Sequence, residues 1–299
     1  MQLYRGESFL GSLELLPGET ILSSLRRAGV TELASPCGGN GTCRQCLVLL
    51  EREQVLACRC TPDRDCRVTL PAKGTAVIET GGVVNITPSG EDLGLAVDIG
   101  TTTVAVFLYD LASGKLLGIE SGRNAQRSFG ADVISRIQHC GSEEGLNALR
   151  QTILRQLDTF IDTLCANAGC MRKRIRRISV AGNTVMEHIF DGLSPVSIGV
   201  APFTTLSLFG DSRTASGFFS GLAPDCGIYL CPALAGYVGG DITAGLYSSG
   251  AAKSDKKVLF LDIGTNGEMG IGDENGFLCC ATAAGPALDR KSTRLNSIH

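Results

Sequence analysis

Residues 95–106 read LAVDIGTTTVAV, and residues 259–270 repeat the pattern as LFLDIGTNGEMG. In each segment an apolar run ends in an aspartate, Ile-Gly-Thr follows, and a second run returns. The pattern predicts two β-hairpins in which Gly100 and Gly264 allow a sharp turn. Turn amides and threonine hydroxyls can hold a phosphate, and a carboxylate at the mouth of the turn can hold Mg²⁺ directly or through water.

Two such hairpins facing one cleft would hold the phosphates of a nucleotide from both sides. Asp98 and Asp262 are the predicted Mg²⁺ ligands. The complete set of predicted phosphate-binding positions is Asp98, Gly100, Thr101, Thr102, Thr103, Asp262, Gly264, Thr265 and Asn266. A single hairpin of this kind is weak evidence, and two copies are stronger. The alternative is a pair of purely structural turns in a duplicated fold.

The chain between the two hairpins has the pattern of an α/β domain. A long amphipathic helix is predicted from the apolar spacing around residues 146–164, followed by a strand at Arg177–Ala181 and a helix from Asn183. A further strand at Ile228–Pro232 leads through a Gly-rich entry into a helix at Ile242–Tyr247. Asn183 and Asp241 are interpreted as helix N-caps or, alternatively, as groups that face a ligand. A structural role is expected for His188, on the helix from Asn183. In the first 72 residues, a helix is predicted at Thr20–Ala28 and a strand at Leu47–Glu53.

Upstream of the first hairpin, residues 37–46 read CGGNGTCRQC and residues 55–60 read VLACRC. The spacing Cys37-x5-Cys43-x2-Cys46, with a fourth cysteine after a predicted strand at Val55–Cys58, resembles the plant-type [2Fe–2S] spacing. Glycines between the first two cysteines would let backbone amides approach the sulfurs. We therefore expect Cys37, Cys43, Cys46 and Cys58 to hold a [2Fe–2S] cluster.

Two other uses of these cysteines fit less well. Structural zinc sites favour paired C-x2-C knuckles, and only Cys43 and Cys46 form one. A disulfide framework is typical of small secreted chains, whereas this chain has 299 residues and no export pattern at its N-terminus. Cys60 stays open as a substitute for Cys58, because residues i and i+2 share a face if the strand continues.

Composition narrows the function classes further. Thirteen cysteines without an export signal indicate a reducing compartment, and we expect a cytoplasmic protein. A net charge of −3 gives no electrostatic footprint for nucleic acid. No apolar run of about 18 residues appears, so we expect no membrane span.

The paired hairpins resemble the phosphate-binding motifs of the superfamily of actin, sugar kinases and heat-shock chaperone ATPases. More narrowly, the chain resembles the reductive activators of corrinoid-dependent enzymes. The resemblance is carried by CGGNGTCRQC, DIGTTTVA, NAQRSFGADVISRI, VAGNTVMEHIF, PALAGYVGGDITAGLY and LDIGTNGEMGIG. It implies a mixed α+β and α/β architecture, in which a β-grasp ferredoxin precedes a partial actin-like, ribonuclease H-like ATPase domain.

The expected boundaries are residues 1–72 for the ferredoxin, 73–94 for a linker, and 95–288 for an incomplete nucleotide domain. Residues 289–299 do not resemble the family and are interpreted as an artificial tail. The short gap between Cys46 and Cys58 also departs from many relatives.

The resemblance implies an electron-transfer protein that returns Co(II) corrinoid to Co(I) in corrinoid-dependent methyltransferase systems, with ATP and Mg²⁺ bound by the second domain. The implied partners are a corrinoid protein or methyltransferase and an upstream low-potential electron donor. One alternative is a plain ferredoxin-type carrier or reductase subunit with a non-catalytic scaffold domain. Another is a small-molecule kinase of the same superfamily with an accessory cluster. Nucleotide affinity separates the plain carrier from the other two.

Overall fold

The fold is given by a computed structural model that describes residues 1–30, 33, 35, 39, 41, 46–51, 53–71, 86–90, 92–264 and 267–282. Most of the predicted linker and all of the predicted tail lie outside these residues. No helix in the described ranges combines the length and the apolar character needed to cross a membrane.

The N-terminal unit is a five-stranded sheet in the order β2-β1-β5-β3-β4, with one helix sharing its core. Its first and fifth strands run parallel, and the other neighbours run antiparallel. The elements are β1 Gln2–Arg5, β2 Ser8–Ser12, α1 Ile21–Arg27, β3 Leu47–Leu50, β4 Glu53–Leu56 and β5 Arg67–Leu70. This arrangement confirms the ferredoxin-like fold expected from the sequence.

Local chemistry explains where two of the predicted elements begin or end. The helix predicted at Thr20–Ala28 is confirmed, because the Thr20 hydroxyl accepts a hydrogen bond from the Ser23 amide as its N-cap. The strand predicted at Leu47–Glu53 was wrong at its end: β3 stops at Leu50, because Glu51 has a φ of 57° and lies in the turn between β3 and β4.

The larger unit is built on a six-stranded sheet in the order β10-β11-β9-β6-β7-β8. Its core joins the apolar face of the sheet to the long helix α3, whose buried residues recur at helical spacing. The strands are β6 Leu93–Ile99, β7 Thr103–Asp110, β8 Lys115–Arg123, β9 Ile175–Gly182, β10 Ser212–Thr214 and β11 Gly227–Leu230. The helices are α2 Val133–His139, α3 Glu143–Ala168, α4 Thr184–Asp191 and α5 Gly240–Ser248.

A third sheet carries the second hairpin. Its strands are β12 Val258–Ile263, β13 Gly267–Asp273 and β14 Gly276–Thr282, paired antiparallel in chain order. The side of α5 that carries Ile242 and Leu246 shares a small core with Phe260 and Phe277 of this sheet. Helix α5 therefore joins the third sheet to the main domain. Both hairpins predicted from the DIGT repeats are confirmed as antiparallel strand pairs.

Candidate functional site

Asn124 donates two hydrogen bonds to the turn of the first hairpin. Strand β6 ends at Ile99 and β7 begins at Thr103, so the turn consists of residues 100–102. The Asn124 side-chain amide donates to the Gly100 carbonyl at 2.8 Å, and the Asn124 backbone amide donates to the Thr102 carbonyl at 2.8 Å. Two carbonyls of the turn are thus fixed before any ligand binds.

Arg136 and Asn183 hold the middle of the same turn. The fully buried Arg136 guanidinium donates from Nη2 to the Thr101 carbonyl at 2.6 Å and from Nε to the Gly130 carbonyl at 3.1 Å. Burial, with a smaller effect from Arg127, lowers the pKa of Arg136 to about 9. Asn183 caps α4 by accepting from the Met186 amide, and its Nδ2 donates to the Thr101 hydroxyl at 3.0 Å.

These contacts divide the predicted phosphate-binding threonines into two groups. Thr101 is 6% exposed and its hydroxyl is engaged by Asn183, so its visible role is to shape the turn. Thr102 is exposed and Thr103 is half-buried, as is Gly100, so these positions face the open side of the turn. The second hairpin offers Asp262 and an exposed Gly264, while Thr265 and Asn266 lie outside the described residues.

Three aspartates influence one another across the cleft between the hairpins. Asp98 is the penultimate residue of β6, Asp262 is the penultimate residue of β12, and Asp241 lies in the first turn of α5. Desolvation and then the charges of Asp241 and Asp262 raise the pKa of Asp98 to about 6, although its side chain reaches solvent, which screens part of this effect. Desolvation chiefly, with Asp262, raises the pKa of Asp241 to about 6, and desolvation raises the pKa of Asp262.

Such a cluster of carboxylates is relieved by protons or by a cation. No three or more His, Cys, Asp or Glu side chains in the described part of the chain converge closely enough to hold a metal ion.

Glu187 is a buried acid that the sequence analysis did not single out. It lies on α4 with 0% exposure, and neither carboxylate oxygen makes a hydrogen bond of ordinary geometry with the described residues. Desolvation and then the charge of Asp241 raise its pKa to about 9, a rise that the nearby Gly240 amide slightly opposes. The available signal was a glutamate inside the otherwise apolar run VMEHIF, where a charge is out of place.

The entry to α5 places Asp241 beside Glu187. The interpretation of Asp241 as an N-cap was wrong, because the cap residue is Gly239 and Asp241 follows inside the first turn. A methyl group on Gly240 would lie 2.8 Å from Cys231 Cβ, and the Glu187 carboxylate would be closer still. Only a glycine lets the helix start this near to β11 and α4.

The described part of the cysteine site lies at the open end of the β3–β4 hairpin. Cys46 directly precedes β3 and is 0% exposed, and Cys58 follows β4 and is 8% exposed. A methyl group on Gly39, which has a φ of 105°, would lie 3.9 Å from Cys58 Cβ. Two buried thiols beside a glycine backbone in the left-handed region fit the chemistry of an iron–sulfur loop. Cys37 and Cys43 lie outside the described residues.

The predicted strand Val55–Cys58 was wrong at its end, which bears on the choice between Cys58 and Cys60. Strand β4 stops at Leu56, whose carbonyl accepts hydrogen bonds from the amides of Arg59 at 2.9 Å and Cys60 at 3.1 Å. Because the chain turns here, the alternation that would have put Cys60 on the face of Cys58 does not apply.

Three family models match successive parts of the chain. Residues 12–63 match the model of the 2Fe-2S iron-sulfur cluster binding domain, and residues 93–254 match that of the RACo middle region. Residues 256–295 match the C-terminal domain of RACo, described as the ASKHA domain.

The names of two similar proteins state an activity. The corrinoid activation enzyme RamQ of Eubacterium limosum is 36% identical over 220 residues, which cover 71% of this chain and 36% of RamQ. A solved structure titled reductive activator for corrinoid,iron-sulfur protein is 27% identical, with a TM-score of 0.64, over 95% of this chain and 63% of its own. The chain thus spans about a third of the curated relative and less than two thirds of the solved one. With one model matching more than half of its residues, the chain belongs to the RACo family of reductive activators.

Proposed function

We propose that this chain uses a [2Fe–2S] cluster and an ATP site to return Co(II) corrinoid to Co(I) in corrinoid-dependent methyltransferase systems. The observation that carries the proposal is that one chain combines two buried cysteines at a glycine loop with two hairpins whose first strands carry an aspartate next to the turn. The corrinoid protein or methyltransferase is the substrate partner, and an upstream low-potential donor supplies the electron.

In this proposal Cys37, Cys43, Cys46 and Cys58 hold the cluster, which supplies one electron at a time when bound. The close approach of Gly39 to Cys58 supports this set, because backbone amides can then point at the sulfurs and tune the potential. Plant-type clusters have potentials near about −400 mV, so reduction of a harder acceptor needs an energy input.

The charges around the first hairpin support Mg-ATP as the source of that energy. The acidic side of the cleft, formed by Asp98, Asp241 and Asp262, lacks a compensating cation among the described residues. Beneath the turn, Arg136 is buried and no described carboxylate pairs with it. A magnesium-bound phosphate carries both signs of charge and complements both sides. In this proposal Asp98 and Asp262 hold the metal through water, and the exposed turn around Thr102 meets the phosphates.

The cluster assignment is tested by anaerobic reconstitution of the chain. We expect two irons per chain and an electron paramagnetic resonance signal after reduction, in line with a [2Fe–2S] centre. Cys58→Ser should reduce the iron content, whereas Cys66→Ser, at a half-buried cysteine that follows the same turn, should leave it unchanged. Retention of the cluster in the Cys58 variant with loss in a Cys60→Ser variant would reassign the fourth ligand.

The activity is tested by mixing the reconstituted chain with a Co(II) corrinoid protein and a low-potential reductant. The Co(II) to Co(I) absorbance change is followed with and without Mg-ATP. Faster reduction with Mg-ATP is expected. Reduction that is independent of ATP, together with no binding of a fluorescent ATP analogue, would favour the plain ferredoxin-type carrier.

A further inference from the structure

Residues 124–130, here called the bridging segment, lie between the β6–β7 hairpin, here called the phosphate hairpin, and the N-terminal unit. On the hairpin side the segment begins with Asn124, which bonds the Gly100 and Thr102 carbonyls. It ends with Gly130, whose carbonyl shares the Arg136 guanidinium with Thr101. A displacement of the hairpin turn therefore acts directly on both ends of the bridging segment.

On its other side the bridging segment contacts the N-terminal unit through Arg26. The Ser128 carbonyl accepts from Arg26 Nη2 and from the Ser35 hydroxyl. The Arg26 guanidinium carbon also lies 4.7 Å from the centre of the Phe129 ring, and Arg26 Nη2 donates to Ser35 Oγ at 2.8 Å. Ser35 is 0% exposed, Ser128 1% and Phe129 7%, and Arg26 is half-buried.

Arg26 also lies close to Gly39, which belongs to the segment 37–46, here called the cysteine loop. A methyl group on Gly39 would lie 4.0 Å from Arg26 Nη1, 3.5 Å from Leu22 Cδ2 and 3.9 Å from Cys58 Cβ. Arg26 and Cys58 thus border one glycine of the loop. A guanidinium at this place favours the more negative, reduced state of a centre held by that loop.

We propose that Arg26 is a positioning residue for the electrostatics of the cluster, and that the bridging segment holds it against the cysteine loop in a way that depends on the phosphate hairpin. The proposal rests on the proposed function, because it assumes a cluster at the cysteine loop and a phosphate ligand at the hairpin. It goes beyond that function by naming the residues through which the two sites influence each other.

The first test is the midpoint potential of the reconstituted chain, followed by electron paramagnetic resonance during a redox titration. Arg26→Gln should lower the reduced-to-oxidised ratio about tenfold at a fixed ambient potential, equivalent to about 59 mV for one electron. Arg27→Gln is the matched control, since Arg27 lies on the same helix but pairs with Glu19 and the Glu14 carbonyl. A potential that is the same in the Arg26 and Arg27 variants would overturn the proposal.

The second test measures coupling without requiring a nucleotide. Asn124→Ala should lower the potential in the unsubstituted chain and have no further effect in the Arg26→Gln background, because in this proposal the bridging segment acts on the cluster through Arg26. Phe129→Leu gives the same comparison if the Asn124 variant does not fold. Effects that add in the double variants would show that the bridging segment does not act through Arg26.

The remaining measurements separate this proposal from the proposed function. Mg-ATP should shift the potential of the unsubstituted chain and shift that of Arg26→Gln by less; an equal shift in both contradicts the proposal. In the iron-free chain, amide hydrogen exchange in residues 124–130 should increase in Arg26→Gln and not in Arg27→Gln. Absence of iron, or of nucleotide binding, would count against the proposed function, whereas the exchange result decides the contact itself.

Discussion

Replacing Glu187 with glutamine should change how the stability of the larger unit depends on pH. The Glu187 carboxyl is fully buried, and burial with the neighbouring Asp241 charge raises its pKa from 4.5 to about 9. At neutral pH it is therefore protonated in the folded chain and ionised in the unfolded chain. Because the folded pKa is the higher one, the stabilising contribution is complete below pH 4.5 and is lost as the pH rises through about 9.

Each pH unit within that window lowers the free energy of unfolding by about 1.4 kcal/mol through this group. From about pH 6 to about pH 8 the loss is about 2.7 kcal/mol, which glutamine cannot show because it does not titrate. Urea unfolding followed by far-ultraviolet circular dichroism measures this difference. Glu144→Gln, at an exposed acid in the first turn of α3, is the control and should keep the unsubstituted slope. Equal slopes for the Glu187 variant and the unsubstituted chain would refute the assigned protonation state.

Three further substitutions probe the packing around the site. Gly240→Ala places a methyl group 2.8 Å from Cys231 Cβ and should cost about 1–3 kcal/mol in urea unfolding; an unchanged midpoint would contradict this packing. Arg136→Lys keeps the charge but loses the planar guanidinium that donates to the Thr101 carbonyl. Binding of a fluorescent ATP analogue should therefore weaken, and the free energy of unfolding should fall by about 1–3 kcal/mol. Unchanged affinity would mean that the turn does not depend on the guanidinium. Ile153→Val in the core of α3 should cost only about 0.5–1.5 kcal/mol and leave affinity for that analogue unaltered, which separates general destabilisation from loss of the site.

The hairpins and the main helices could be predicted because their signals are local. An apolar run that ends in Asp-Ile-Gly-Thr determines both the strand and the place where it turns, as β6 and β12 confirm. The Thr20 and Asn183 caps are likewise set by residues three positions apart. The end of β4 was wrong because backbone amides of α1 take carbonyls of the turn, Leu22 bonding Ala57 at 2.9 Å and Ile21 bonding Cys60 at 2.9 Å. That interaction joins segments far apart in the chain.

Glu187 and Arg136 escaped prediction for the same reason. Glu187 lies on α4, whose residues are almost all buried, and Arg136 lies on α2 beside the buried Val133 and Ile137. The sequence alone gives no partner for either charge. Their importance follows only from what the fold brings near them: Asp241 from α5 in one case, and the Thr101 carbonyl from the first hairpin in the other. By contrast, His188 was expected to be structural, and its ring bonds the Thr184 carbonyl at 2.7 Å and the Leu206 amide at 3.2 Å.

Burial of ionisable groups beside the cleft lowers the stability of the folded chain. The Asp241 charge disfavours the ionised form of Glu187, and Arg136 is desolvated without a described carboxylate partner, so both effects lower the stability of the folded state at neutral pH. A ligand that supplies a cation to the acids and an anion above the turn would remove part of both penalties and would therefore stabilise the folded chain. If that ligand also displaces the hairpin turn, Asn124 passes the change to the bridging segment.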